Sequence, residues 1–251
     1  MIKNYLKIAF RNLWRHRVFS LINILGLTVG MTACFLIFLY VRFELSYDSF
    51  NTKADRIYRV VADIKTPTET LHAHGPSWAV APNLVSEFPE IESAVRLNDA
   101  SLLLRKGDIK FQEDGVLWAD SAFFHVFDFK LLYGNPETAL KEQFSIVLSE
   151  TASKKYFGNA NPVGQTLLLT SDAFPTKVTG VMKDMPENTQ FKADVLVSMN
   201  TLTQRLNKGL DDQWGNYGAA AYVLLKPGTN AAALQAKFPA FLEKRNGDQM
   251  K

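Results

Sequence analysis

Apolar positions are spread very unevenly along this chain. Phe19 to Val41 contains no charged residue, whereas the segments on either side mix apolar and polar positions at short periods. At 1.5 Å of rise per residue the 23-residue stretch reaches roughly 34 Å as a helix, enough for a hydrocarbon core of about 30 Å. A secretion signal has a shorter apolar region and a small-residue cleavage site. Met31-Thr32-Ala33-Cys34 loosely resembles a lipoprotein processing site, but Phe35 to Val41 continues the apolar run beyond it. The stretch reads as a membrane anchor rather than a cleaved signal or the core helix of a soluble protein.

Ahead of it, Ile2, Tyr5, Leu6, Ala9, Leu13 and Trp14 recur at offsets close to 3.6, while Lys3, Lys7, Arg11 and Arg15 repeat every fourth residue. This predicts an amphipathic helix over residues 1–18, lying along a lipid headgroup surface or receiving a cytoplasmic protein, or simply supplying topology charges. With Arg17, the tail carries five cations and no acid, and the exit flank holds Arg42, Glu44 and Asp48. The bias predicts a cytoplasmic N-terminus, a membrane helix over 19–41 and a large domain over 42–251 on the far side.

After Val41 the periods shorten. Arg56 to Ile64 reads as a strand, and Ser77 to Ile91 contains a short helix ending near Pro89. Residues 101–113 form a hairpin bending at Lys106-Gly107-Asp108. The clearest unit runs from Phe144 to Leu169. It has an apolar strand to Leu148, Ser149 as N-cap, a helix to Phe157, Gly158 as its stop, and a strand after Gly164. Further strands fit 176–186, 193–199 and 220–228, and a last helix begins at Asn230, bent or split by Pro239. The expectation is a mixed α/β, α+β body, one large domain or, more in keeping with its length, two lobes.

Composition refines this in two respects. The net charge of +3 less the tail's +5 leaves −2 for residues 19–251, so the basic pI is no nucleic-acid footprint. Cys34, the single cysteine, lies in the apolar run, so the body has no internal disulfide. Gly26, Gly30 and Cys34 set small residues four apart along that run, a face on which another helix packs closely.

Catalytic signatures are weak. Gly158 to Thr166 spaces its glycines six apart and has Gln165 where a P-loop needs lysine, so it reads as a helix stop and turn. His72 and His74 are too few for a zinc site and read as an ordinary loop, and His125 is expected to be partly buried among phenylalanines. No catalytic, metal-binding or cofactor-binding residue is assigned, and the chain is not expected to be an enzyme.

The segments NYLKIAFRNLWRHRVFSLINILGLTVGM, ADRIYRVV, DSAFFHVFDFKLLYGNPETALKE, SIVLSETASKKYFGNANPVGQTL, VTGVMKDMPENTQF and YVLLKPGTN resemble, in this order, the N-terminal segment of ABC transporter permeases of the MacB/FtsX type. The resemblance implies a bacterial inner-membrane subunit with a periplasmic core domain, coupled to a separate cytoplasmic ATPase. ATP would bind only on that partner. It further implies a second permease copy or half, contact with membrane lipid, a periplasmic adaptor or substrate, and no nucleic acid. Lys3, Lys7, Arg11, Leu13, Trp14, Arg15 and Arg17 would form the cytoplasmic coupling surface. Such permeases continue into further membrane helices, so the chain resembles a truncated one. The alternative is a membrane-anchored periplasmic binding or scaffold module.

Overall fold

A computed structural model describes residues 2–247. Of the expected tail and body, Met1 and residues 248–251 lie outside the described residues. The chain divides into two compact units, Met1–Tyr47 and Asp48–Lys251.

The first unit is two helices, α1 (Ile2–Arg15) and α2 (Arg17–Glu44), meeting at His16. His16 leaves helical geometry at φ −112° and ψ 42°, yet its N–H donates to Asn12 O and its carbonyl accepts from Ser20. The bend therefore leaves neither group unpaired.

The second unit begins with β1 (Ile57–Val60), β2 (Ala62–Lys65), β3 (Thr70–Ala73), α3 (Val80–Glu87) and the long hairpin β4 (Ile91–Lys106) and β5 (Ile109–Ala119). Gly107 and Asp108 alone separate the paired ends Lys106 and Ile109, and Gly107 takes φ +57°. Only the first turn residue is left-handed, the conformation of a type II′ hairpin and one that glycine adopts freely. There follow α4 (Phe123–Val126), β6 (Leu131–Tyr133), β7 (Ser145–Ser149), α5 (Glu150–Phe157), β8 (Thr166–Leu169) and β9 (Phe174–Met182). The remainder is β10 (Val195–Ser198), α6 (Met199–Thr201), a π-turn over Leu202–Leu206, β11 (Ala220–Leu225), α7 (Ala231–Gln235) and α8 (Phe238–Asn246).

Among the described residues, nine strands form one sheet in the order β1-β11-β4-β5-β10-β7-β9-β6, with β8 beside β4 and β9. β10 is parallel to β5, and β7 is parallel to β9. β7 and β10 are buried at every position, which is why SIVLS and VLVS read as unbroken apolar runs. Their side chains alternate between the two faces. Val147 and Leu196 enter one cluster with Phe123, Phe127 and Phe191, while Ile146, Leu148, Val195 and Val197 enter another with Trp118 and Leu167. β11 alternates likewise, sending Tyr222 and Leu224 to the first cluster and Ala221, Val223 and Leu225 to a third under α3 and α8. Because each cluster shares strands with a neighbour, the body is one compact unit rather than the two lobes expected from its length.

Ser149 caps α5 as predicted, its Oγ accepting from Ala152 N–H at 3.0 Å, and Gly158 stops that helix at φ +58°. The terminal helix is split: Asn230 caps α7, and α8 starts at Phe238 with Pro239 in its first turn, where the missing N–H costs no hydrogen bond. The strand read across 56–64 breaks at Val61, where the chain leaves the main sheet. β2 and β3 then make a separate two-stranded arm.

Candidate functional site

On α1, Lys3, Lys7, Arg11 and Arg15 stand one turn apart and are exposed, so the row read from the sequence exists as a continuous cationic edge. Leu13, 44% exposed, falls in line with Leu6 and Ala9. Trp14, at 82% exposure, follows Lys7 by seven residues and Lys3 by eleven, both near whole numbers of 3.6-residue turns. The tryptophan therefore stands on the cationic row, apart from the apolar residues with which the sequence reading grouped it. Arg17 lies beyond the His16 bend, as the first residue of α2.

α2 has 28 residues, none buried, and is the one helix among the described residues long and apolar enough to cross a membrane. Gly26, Gly30 and Cys34, with Leu27, Met31 and Phe35, line a shallow groove of about 590 Å³. A Cβ built on either glycine would meet nothing within 4 Å, so the groove is open. Thr28 donates its hydroxyl to Ile24 O at 2.7 Å, which satisfies a polar group inside the apolar stretch.

The charged groups of the body fold onto one another. Arg96 on β4 is 4% exposed, and its guanidinium meets Asp120 at 2.9 and 3.0 Å, Asp211 at 2.5 Å and the Trp78 carbonyl at 3.3 Å. Burial opposes its charge, but the two carboxylates outweigh it and hold the guanidinium above its ordinary value. Glu113 on β5 is 8% exposed and accepts from Lys155 Nζ at 2.6 Å and from the Tyr156 hydroxyl. Burial, reinforced by that carboxylate, pushes the Tyr156 hydroxyl up, so it stays protonated as a donor. These two centres were not singled out from the sequence. Their partners lie 18 residues or more away along the chain and carry no local signal.

Two recesses mark the surface of the body. One, of about 310 Å³, lies between the turn after α3 and helix α8 and is lined by Glu87, Glu90, Lys237 and Lys244. Hydrogen bonds from Lys244 and Arg245 hold Glu87 below the usual carboxylate range, and Lys237 does the same to Glu90. The other, of about 240 Å³, has Phe127, Phe191 and Tyr222 as its floor and Asp48 and Arg59 at its rim. Asp48 accepts from the Thr189 hydroxyl, and Arg59 donates to His74 O.

Residues 158–166 turn back on themselves. Gly164 N–H donates to Val178 O at 2.7 Å and Gln165 N–H to Pro162 O at 2.9 Å, so backbone donors that a P-loop directs at phosphate are engaged internally. His72 lies on β3, in a strand where a loop was expected, with Nδ1 2.7 Å from Asp63. His125 is exposed, 3.2 Å from Glu92, against the expectation of partial burial. The one-turn helix α4 sends Phe123, Phe124 and Val126 inward and His125 out. Among the described residues no group of three His, Cys, Asp or Glu side chains is placed to hold a metal ion.

The sequence matches the MacB-like periplasmic core domain over residues 20–241. The chain belongs to that family. A comparison with curated proteins gives no match. Among solved structures, a domain of a permease protein from Porphyromonas gingivalis aligns at a TM-score of 0.67 and 24% identity, covering 78% of this chain and 83% of that one. The periplasmic region of MacB from Actinobacillus actinomycetemcomitans aligns at 0.56 and 18%, covering 76% and 85%. At these identities the alignments establish the fold of the body, a mixed α/β domain with one large sheet. MacB-like periplasmic domains are parts of membrane permeases of the ABC type.

Proposed function

We propose that this chain is the N-terminal portion of a permease subunit that couples a separate cytoplasmic ATPase to a periplasmic domain. The family match across residues 20–241 carries this reading, because it joins the apolar helix and the sheet domain in a single unit of an ABC-type permease. In it, α1 lies at the cytoplasmic face, α2 spans the inner membrane, and the body stands in the periplasm. The tail divides the work between its faces. Leu13 and its row meet lipid, while Trp14 with Lys3, Lys7, Arg11 and Arg15 meets the ATPase or its neighbours. Gly26, Gly30 and Cys34 pack against another membrane helix of the permease. Nucleotide binds on the ATPase and not on this chain.

The orientation has a direct test. With Cys34 changed to Ala, single cysteines at Asn4 and Asp108 are exposed to an impermeant maleimide in cells whose outer barrier is opened. Asp108→Cys is preferable to a change at Gly107, which needs its left-handed backbone. Labelling at position 108 and not at 4 is expected, and the reverse pattern would invert the topology.

Coupling is tested in the permease reconstituted with its cognate ATPase. Replacing Leu13 and Trp14 together by Ala should separate ATP hydrolysis from transport while the body stays folded, and the purified 251-residue chain alone should hydrolyse no ATP. Unchanged coupling at normal membrane levels would remove the tail from the mechanism. Coupling requires contacts that differ between at least two states, so the single variants are informative. Trp14→Ala should weaken ATPase association, and Leu13→Ala membrane association of the tail.

A further inference from the structure

The arm formed by β2 and β3 is the part of the body with the least internal support. Its strands pair only with each other, and no residue from Ala62 to Ala73 is buried. An isolated two-stranded hairpin is marginal in water, and an unpaired strand edge is a template for another strand. The arm is also two-faced. Cross-strand partners share a face, so Ala62, Ala73, Ile64 and Leu71 make an apolar side, and Asp63, His72, Lys65 and Thr70 a polar one.

We propose that two copies of this chain join through this arm, β2 pairing antiparallel with β2 of the second copy about Ile64. The backbone sets the register. Thr66 N–H donates to Glu69 O at 2.8 Å, which makes that facing pair a hydrogen-bonded one. Because such pairs alternate, Ile64 and Ala62 also direct their N–H and C=O groups toward β3, leaving those of Asp63 and Lys65 for the free edge. An antiparallel partner centred on Ile64 places Asp63 opposite the second copy's Lys65, and Lys65 opposite its Asp63. Both are positions where facing residues exchange two backbone hydrogen bonds. The same register places Ile64 against Ile64, so the apolar side runs Leu71, Ile64, Ile64, Leu71 across four strands. On the polar side Asp63, already paired with His72 at 2.7 Å, gains a lysine.

The free edge of β3 has no comparable match. Centred on Leu71, it sets Thr70 against His72, with no opposite charges to fix the register. Charge, facing and hydrogen-bond parity agree only at β2, and they agree for the chain with itself. The interface is small, and confinement of both copies by their anchors to one bilayer raises the local concentration at which it forms. The pairing does not depend on the transport reading.

The test uses the full chain, with Cys34 changed to Ala, in lipid vesicles under mild oxidation. Ile64→Cys should cross-link to a disulfide dimer, since facing residues of a non-hydrogen-bonded pair have Cα atoms about 4.5 Å apart. Leu71→Cys should not, being three strand spacings, about 14 Å, from its counterpart. Adding Lys65→Asp, which sets like charges opposite each other, should slow the Ile64→Cys cross-link about tenfold, and combining it with Asp63→Lys should restore the rate. The urea midpoint of the body, unchanged in every variant, separates pairing from misfolding. Cross-linking of Ile64→Cys no faster than of an exposed control, Asp172→Cys, would overturn the proposal. So would faster cross-linking of Leu71→Cys, or a charge exchange that fails to restore the rate.

Discussion

Arg96→Leu is expected to lower the stability of the body by about 3–5 kcal/mol, because it strips two carboxylates of the cation that holds them in a partly desolvated site. Asp120 keeps one further partner, the Arg96 backbone N–H at 2.8 Å, while the ion pair to Asp211 is lost altogether. The consequence is spatially broad, since the guanidinium joins β4 to the turn after β5 and to the segment carrying Asp211, beside Trp78 at 5.9 Å from its ring. Urea unfolding of the full chain in detergent, followed by circular dichroism, measures the loss. The surface pair Lys154–Glu150, one helical turn apart, is the control, and Lys154→Ala should leave the urea midpoint nearly unchanged. An Arg96→Leu midpoint close to that of the control would mean that Asp120 and Asp211 find water or other partners as easily as surface carboxylates do.

What could be read from the sequence depended on whether the cause was local. Ser149, the helix after it and Gly158 form a unit whose cap, apolar face and stop lie within ten residues, and the structure reproduces it. The hairpin at Gly107 is equally local. The arm was hidden because Ala62 to Ile64 continues the alternation of β1, so one strand was read where the chain leaves the sheet at Val61. Strand order left no trace either: β10 lies between β5 and β7, parallel to one and antiparallel to the other, through contacts that no period encodes. The sites divide in the same way. The cationic row of α1 follows from i,i+4 spacing, whereas Arg96 meets a carboxylate 115 residues away. His125 was misjudged because aromatic neighbours in sequence point inward from a helix turn that leaves it outside.

Gly75 is a second position where distance along the chain conceals a tight constraint, and Gly75→Ala should lower stability by about 3 kcal/mol. The backbone there is not left-handed, so the glycine is required for space. A Cβ at this position would stand 2.0 Å from Ala219 O, 2.9 Å from Ala219 C and 3.2 Å from Ala220 Cα. Neither side yields easily. Ala220 begins β11, which is paired to Leu97 on β4, and the chain just before Gly75 is held by Arg59, whose Nε and Nη2 donate to His74 O at 3.1 and 2.5 Å. The new methyl must displace the end of a central strand or push out the root of the β2–β3 arm. Gly107→Ala separates this steric cost from a conformational one, since its Cβ would meet nothing within 4 Å and only its φ of +57° opposes the change, at about 1 kcal/mol. Unfolding midpoints of the two variants in urea should therefore differ clearly, Gly75→Ala being the weaker. Where the strain goes can be read by adding Arg59→Ala, which frees the arm root. If the root is the part that moves, the double variant should recover part of the loss, whereas displacement of β11 would leave the two costs additive. Equal midpoints for Gly75→Ala and Gly107→Ala would show that the arm root gives way for only about 1 kcal/mol and is not firmly fixed to the body.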